Sequence, residues 1–160
     1  MKKIAAGVFL VILSFTTAVQ AEEKITTQEL YSLVLKAHDV IKNLGEEGFQ
    51  AFNTPKSEFI LKDTYVYVMK CPDTMAAHPY AMDKLRGTDI STIPITPLVC
   101  EAAVKPNGAW IEYKWPKPDE TTPSRKIAFC INVEGTPYQV IASVFTDTEK
   151  IEPLNKMLGQ

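Results

Sequence analysis

The sequence predicts an α+β fold in which one long N-terminal helix lies against an antiparallel sheet of five strands. Three observations lead there. Residues 26–53 place apolar side chains at three- and four-residue spacing. From residue 64 onward the period changes to runs rich in Tyr, Val and Ile, bounded by Pro, Gly and Asp. The last three of these runs are consecutive and joined by short, turn-like segments, which favours antiparallel pairing with the helix on one face. At 160 residues, with 46% hydrophobic and 22% charged side chains, the chain has the make-up of one globular domain.

The first segment is expected to be removed. Met1, Lys2 and Lys3 give a positive start, Ile4 to Leu13 form an apolar run, and Ala18-Val19-Gln20-Ala21 offers a small-x-small cleavage site before Glu22-Glu23. This is the pattern of a secretory signal peptide, residues 1–21, leaving one domain over residues 22–160. The apolar run is about half of the ~20 residues a spanning helix needs, and Ser14, Thr16 and Thr17 interrupt it. No Cys stands at the cleavage point to carry a lipid. The segment takes two lysines and no acidic group with it, so the formal charge moves from −2 to −4. An acidic chain without a Lys/Arg cluster lacks the footprint for DNA or RNA. A periplasmic or secreted protein is expected.

The helix opens at Thr26-Thr27-Gln28-Glu29, where the Thr26 hydroxyl and the Glu29 carboxylate can each satisfy the other's backbone N–H. Leu30, Leu33, Val34, Ala37, Ile41 and Leu44 form its apolar stripe, with Lys36, Asp39, Lys42 and Asn43 off it. Gly45 and Gly48 weaken the end, and Phe49 and Phe52 carry the apolar face to a stop at Asn53-Thr54-Pro55. Strands are expected at Thr64 to Cys71 and Met75 to His78, separated by a turn at Pro72-Asp73. Residues 79–97 hold three prolines and Gly87 without a period, as an ordered loop that builds a binding site would. Leu98 to Val104 can form a helical turn or two. Strands come next at Ala109 to Trp115, Arg125 to Val133 and Tyr138 to Phe145. The Pro-rich linker Pro116 to Pro123 and the hairpin turn Glu134-Gly135-Thr136-Pro137 separate them. Ile151 to Leu158 can close the chain as a short helix.

Taken in order, several pieces resemble the single Cache domain, type 2, of bacterial extracytoplasmic sensor proteins. They are Ala51-Phe52-Asn53 leading to Phe59, Tyr65-Val66-Tyr67-Val68, His78-Pro79, Gly87, the run Gly108 to Pro118 with Tyr113 and Trp115, then Lys126, and Val144-Phe145-Thr146-Asp147. The resemblance covers residues 27–147. It implies a PAS-like Cache fold with a small pocket in front of the sheet, binding small organic molecules and often carboxylates. The residues it assigns to that pocket are His78, Pro79, Tyr113, Trp115 and Lys126. The sequence departs from the family pattern at Cys71-Pro72-Asp73-Thr74, at Phe129 where a Tyr is expected, and at Ala142-Ser143 where Gly is common. A Phe129 facing the pocket would cost it one hydroxyl.

The residue chemistry is compatible with that assignment. Tyr113 and Trp115 lie two apart on a strand and so share a face, where they can wall a pocket and offer an O–H and an N–H. Lys126 is a point charge suited to a carboxylate. The plain alternative is core packing for the aromatics and a solvated amine for Lys126. His78 either donates to a ligand, with charge added near its reference pKa of ~6.5, or fixes the turn before Pro79. His38 sits at the edge of the helical stripe. Two histidines without HExxH or CxxC give no basis for a metal, and no cofactor is expected. Glu101, Glu112, Asp119 and Glu120 have no spacing for paired acid/base catalysis, and Ser143 lacks a nucleophile-elbow context.

Cys71, Cys100 and Cys130 allow three pairings in an oxidising compartment. The strand order implied by the resemblance sets Cys71 and Cys130 two strand spacings apart, about 9–10 Å, beyond the ~7 Å a disulfide spans. Cys100 is therefore expected to pair with Cys71 or Cys130. The functional expectation is a non-catalytic periplasmic module that binds a small organic ligand, a short carboxylate first, without a signalling domain of its own. Any signal would pass to a membrane sensor or another periplasmic protein. The competing readings are an interaction module with a degenerate pocket and a thiol enzyme using the leftover Cys.

Overall fold

The computed structural model describes residues 23–85 and 88–160; the expected signal segment and Gly87 lie outside the described residues. Helix α1 spans Thr27–Leu44 and begins with the expected reciprocal cap. The Glu29 N–H donates to Thr26 Oγ1 at 3.2 Å and the Thr26 N–H donates to Glu29 Oε2 at 2.9 Å. Lys62 donates to both oxygens of the same carboxylate, and this contact is the main reason the Glu29 pKa falls to about 2. Leu30, Leu33, Val34, Ala37 and Ile41 are buried along one face.

The α-helix does not run on to Asn53. Gly45 takes φ 58°, outside the helical region, and Gly45–Ala51 continue as a tighter 3₁₀ segment. Glycine adopts that angle without the Cβ penalty other residues meet. Leu44, expected in the stripe, is therefore 54% exposed, while Phe52 is buried with its ring 4.6 Å from Phe59.

Six strands form the antiparallel sheet: β1 (Ile60–Leu61), β2 (Thr64–Lys70), β3 (Thr74–Ala77), β4 (Ala109–Pro116), β5 (Pro123–Asn132) and β6 (Tyr138–Phe145). Their order is β1-β2-β6-β5-β4, with β3 also paired to β2. The additional strand, β1, is two residues long and shows no period a sequence could reveal. Pro116 and Pro123 form the outermost β4–β5 pair, so the linker expected between them is shorter by both prolines. Pro123 is tolerated because it is the first residue of its strand. In the next hairpin the Val133 N–H donates to the Tyr138 carbonyl at 2.9 Å, and Gly135 supplies φ 77°.

The sheet separates two cores. Side chains of β2, β5 and β6 that point backward, including Val66, Val68, Ile127 and Phe129, pack on α1. Those that point forward, including Tyr67, Met69, Ala128, Cys130 and Ile141, pack on α3 (Thr96–Ala103) and the segment before it. Helix α2 (Met82–Leu85) is a single turn in the region expected as loop. Helix α4 (Ile151–Met157) covers the edge of β4, where Asn155 accepts from the Trp110 N–H at 2.7 Å and donates to its carbonyl at 2.9 Å. Among the described residues no helix is long and apolar enough to cross a membrane.

Candidate functional site

The forward face of the sheet leaves a cavity of about 130 Å³ between the strands and the segment from β3 to α3. Strand alternation decides what it contains. On β2, Tyr65, Tyr67 and Met69 point forward while Val66 and Val68 point back into the α1 core. On β4 the same period brings Tyr113 and Trp115 forward, their rings 6.4 Å apart and close to perpendicular. Lys126 on β5 is the register partner of Tyr113, and Ser143 on β6 is the register partner of Ala128. Ile90, Ile93, Ile95 and Thr96 close the front.

Four of the five residues named from sequence thus line one cavity: His78, Tyr113, Trp115 and Lys126. Pro79 sits in the turn behind His78 and is absent from the lining. His78 Nδ1 accepts from the Tyr80 and Ala81 backbone N–H groups, both at 3.1 Å. An acceptor at Nδ1 places the neutral ring's proton on Nε2. Burial, and to a lesser degree the Lys126 charge, lowers the His78 pKa to about 4, so the ring is neutral near pH 7 rather than poised at ~6.5. Its edge meets the Tyr65 ring at 4.9 Å.

Lys126 supplies the charge of the cavity. Burial lowers its pKa to about 8, and among the described residues no carboxylate lies within 4.0 Å of its ammonium. Its neighbour is the Phe145 ring, 4.7 Å from Nζ to centroid. The Tyr113 hydroxyl meets the Ser143 and Tyr67 side chains, and burial pushes both phenols well above their usual range. Aromatic walls, several hydroxyls and one cation without a carboxylate partner can hold a small molecule with an apolar body and an anionic end. A cavity this small falls below the ~300–1,000 Å³ of drug-sized sites.

Two departures noted in the sequence take on definite positions. Phe129 faces backward, its ring 4.8 Å from Tyr31 and 5.3 Å from Trp110, so the missing hydroxyl is not one the cavity has lost. Ser143 lines the cavity; the sequence reading weighed it as a departure from the family pattern and as a hydrolase nucleophile, and did not name it as a lining residue. Tyr65 and Tyr67 were also missed as lining residues, although the Tyr-Val-Tyr-Val alternation carries the signal: the two types occupy opposite faces.

Cys100 pairs with Cys71, with Cα atoms 5.7 Å apart. The bond ties the end of β2 to α3 and closes the loop that carries Met75, His78 and the isoleucines of the cavity front. Cys130 is the free, buried thiol, and burial raises its pKa well above the usual range. A thiol held protonated and out of solvent is a poor nucleophile.

The comparisons agree with this architecture. A family model described as Cache domain matches residues 55–150. Among solved structures, a Cache chemosensory domain described for carboxylic acid recognition superposes with a TM-score of 0.56 at 19% identity, covering 76% of this chain and 93% of that one. The periplasmic sensor domain of a chemotaxis protein gives 0.54 at 20% identity, covering 75% and 94%. A methyl-accepting chemotaxis protein from Vibrio parahaemolyticus gives 0.57 at 13% identity, covering 75% and 88%. No curated protein sequence matches the chain significantly. Similarity at these identities speaks for the fold, and the family match spans more than half of the sequence: the chain belongs to the Cache domain family.

Proposed function

We propose that this protein is an exported, non-catalytic sensing module, one domain over residues 22–160, that binds a short monocarboxylate in the cavity in front of its sheet. The observation that carries the reading is Lys126: a half-buried ammonium, with no carboxylate within 4.0 Å among the described residues, in a cavity walled by aromatic rings. A desolvated charge is costly until a counter-charge arrives, and a ligand carboxylate is the group that supplies one. Trp115 and Tyr113 clamp the ligand's body, the His78 Nε2–H and Ser143 hydroxyl complete its polar shell, and Pro79 holds the His78 turn. The acid-binding relative supports the ligand class by analogy. After ligand binding the signal passes to a partner, a membrane sensor or another periplasmic protein.

The competing reading, a module whose pocket has degenerated, rested on Phe129 and Ser143. Phe129 packs on the opposite face and Ser143 adds a hydroxyl to the cavity, so neither residue argues for closure. Thermal unfolding against a panel of short acids and amines separates the two. A ligand at 100 times its Kd stabilises by about 2.7 kcal/mol. Acids are expected to raise the transition and amines to leave it unmoved; silence across the acids would favour the degenerate pocket.

A further inference from the structure

Strand β4 is the outer strand at its end of the sheet, and its free edge is blunted at two points. At one, Asn155 takes up both backbone groups of Trp110. At the other, Pro116 has no N–H to offer. Backbone groups alternate in direction along an antiparallel strand, so the N–H and C=O of Glu112 and Lys114 face outward as those of Trp110 do. Among the described residues these groups meet no partner, and both residues are exposed. The two blunting devices bracket this window without covering it.

An open edge is a template for another strand, and the side chains of this one are self-complementary. On the backward face Glu112 accepts from Arg125 Nη2 at 2.6 Å. Lys114 is the register partner of the same Arg125 and has no carboxylate within 4.0 Å among the described residues. When β4 is laid antiparallel against β4 of a second copy, a two-fold axis at Glu112 sets that carboxylate against itself. An axis at Lys114 does the same to the ammonium, and like charges directly opposite repel. With the axis at Tyr113, Glu112 of each copy stands opposite Lys114 of the other. Both are outward-facing positions, so two opposite-charge pairs form together with four N–H···O=C bonds. On the forward face the same register puts Ile111 opposite Trp115, an aliphatic–aromatic pair that covers an indole 36% exposed in the single chain.

We propose that the protein associates with a second copy of itself along β4, in the two-fold register centred on Tyr113. The contact is isologous. It joins two six-stranded sheets into one, gives Lys114 of each copy a carboxylate, and sets Tyr113 and Trp115, with the cavities they wall, beside the axis. A five-residue edge pair buries less than the ~1,200 Å² of a stable interface. Association is therefore weak, with a Kd on the order of 10 μM.

Sedimentation equilibrium of the mature protein tests this. The wild type is expected to dimerise, and added salt to weaken the dimer. Glu112→Lys and Lys114→Glu each place two like-charge pairs in the contact and should weaken it at least about tenfold. An equimolar mixture of the two variants regains both opposite-charge pairs, so a heterodimer of about wild-type affinity is expected. The double variant Glu112→Lys/Lys114→Glu should likewise pair with itself. A wild type still monomeric at about 20 times the expected Kd would overturn the proposal and leave the edge to a strand of another protein. So would a dimer that neither reversal weakens, or two weakened variants, each folded by circular dichroism, that stay apart when mixed.

Discussion

Lys126 concentrates the chemistry of the site in one side chain. Its folded-state pKa of about 8 lies below the ordinary lysine value of 10.5. Below about pH 8 the folded chain carries the full cost of a desolvated ammonium. Between about 8 and 10.5 the unfolded chain holds a proton the folded chain has released, so stability rises with pH across that window. Lys126→Met keeps the apolar stem and removes the charge. At pH 7 the ligand-free variant is expected to be more stable than wild type by on the order of 2 kcal/mol, less the lost contact with Phe145, as read by urea unfolding. The same variant should show no stabilisation by carboxylates. Loss of stability in the empty protein would mean that Lys126 serves the fold. Binding should track the ammonium. Affinity is expected to be level from about pH 5 to 8, because the ligand carboxylate is ionised above its ordinary pKa of ~4.3 and Lys126 is charged. Above about 8 it should fall about tenfold per pH unit, a profile titration calorimetry resolves. From sequence, Tyr113, Trp115 and Lys126 were legible as a set through two-residue spacing and family pattern. The His78 tautomer was not, because it depends on two backbone N–H groups folding back onto Nδ1.

At the scale of elements, a disulfide and a glycine hold the cavity in shape. The Cys71–Cys100 bond closes a loop with a sequence separation of 29, and within it lies the front of the cavity. Loop-closure entropy for that length is about 3.6 kcal/mol. Cys71→Ser/Cys100→Ser is expected to lose about that much stability in denaturant titration and to weaken ligand binding as well, since the front must then be ordered on binding. Unchanged affinity would show that the front is held by packing alone. Gly108 fixes the other side. Its φ is 70°, and a Cβ there would meet the Cys130 carbonyl oxygen at 2.4 Å. Gly108→Ala should therefore cost about 3 kcal/mol or more, measured as the drop in unfolding free energy, with the Ala109–Cys130 register disturbed. The elements themselves were legible where a period ran for several residues: α1, β2, β4, β5 and β6 appear close to their expected bounds. The end of α1 was not, because a glycine such as Gly45 is either tolerated inside a helix or ends it, and tertiary packing makes the choice. The choice between Cys71 and Cys130 as partner of Cys100 also needed the sheet, since sequence cannot say which strand end α3 reaches.

For the molecule as a whole, the sheet's two faces divide the labour. The backward face and α1 form a core of ordinary apolar packing, and the forward face trades part of its core for a cavity around a charged group. β6 is buried along Tyr138 to Val144 and serves both faces, so a sequence reading sees one apolar run and cannot assign its residues to core or cavity. That is why Ser143 was not assigned to the cavity while the residues on the better-patterned β4 were. The central claim is that the cavity selects a carboxylate through the Lys126 ammonium. Calorimetric titration at pH 7 with butyrate and with butyramide, its neutral isostere, tests this most directly. The expected result is saturable butyrate binding to the wild type, butyramide at least tenfold weaker, and neither bound by the Lys126→Met variant. Equal affinity for acid and amide, or butyrate binding that survives the Lys126→Met substitution, would contradict it.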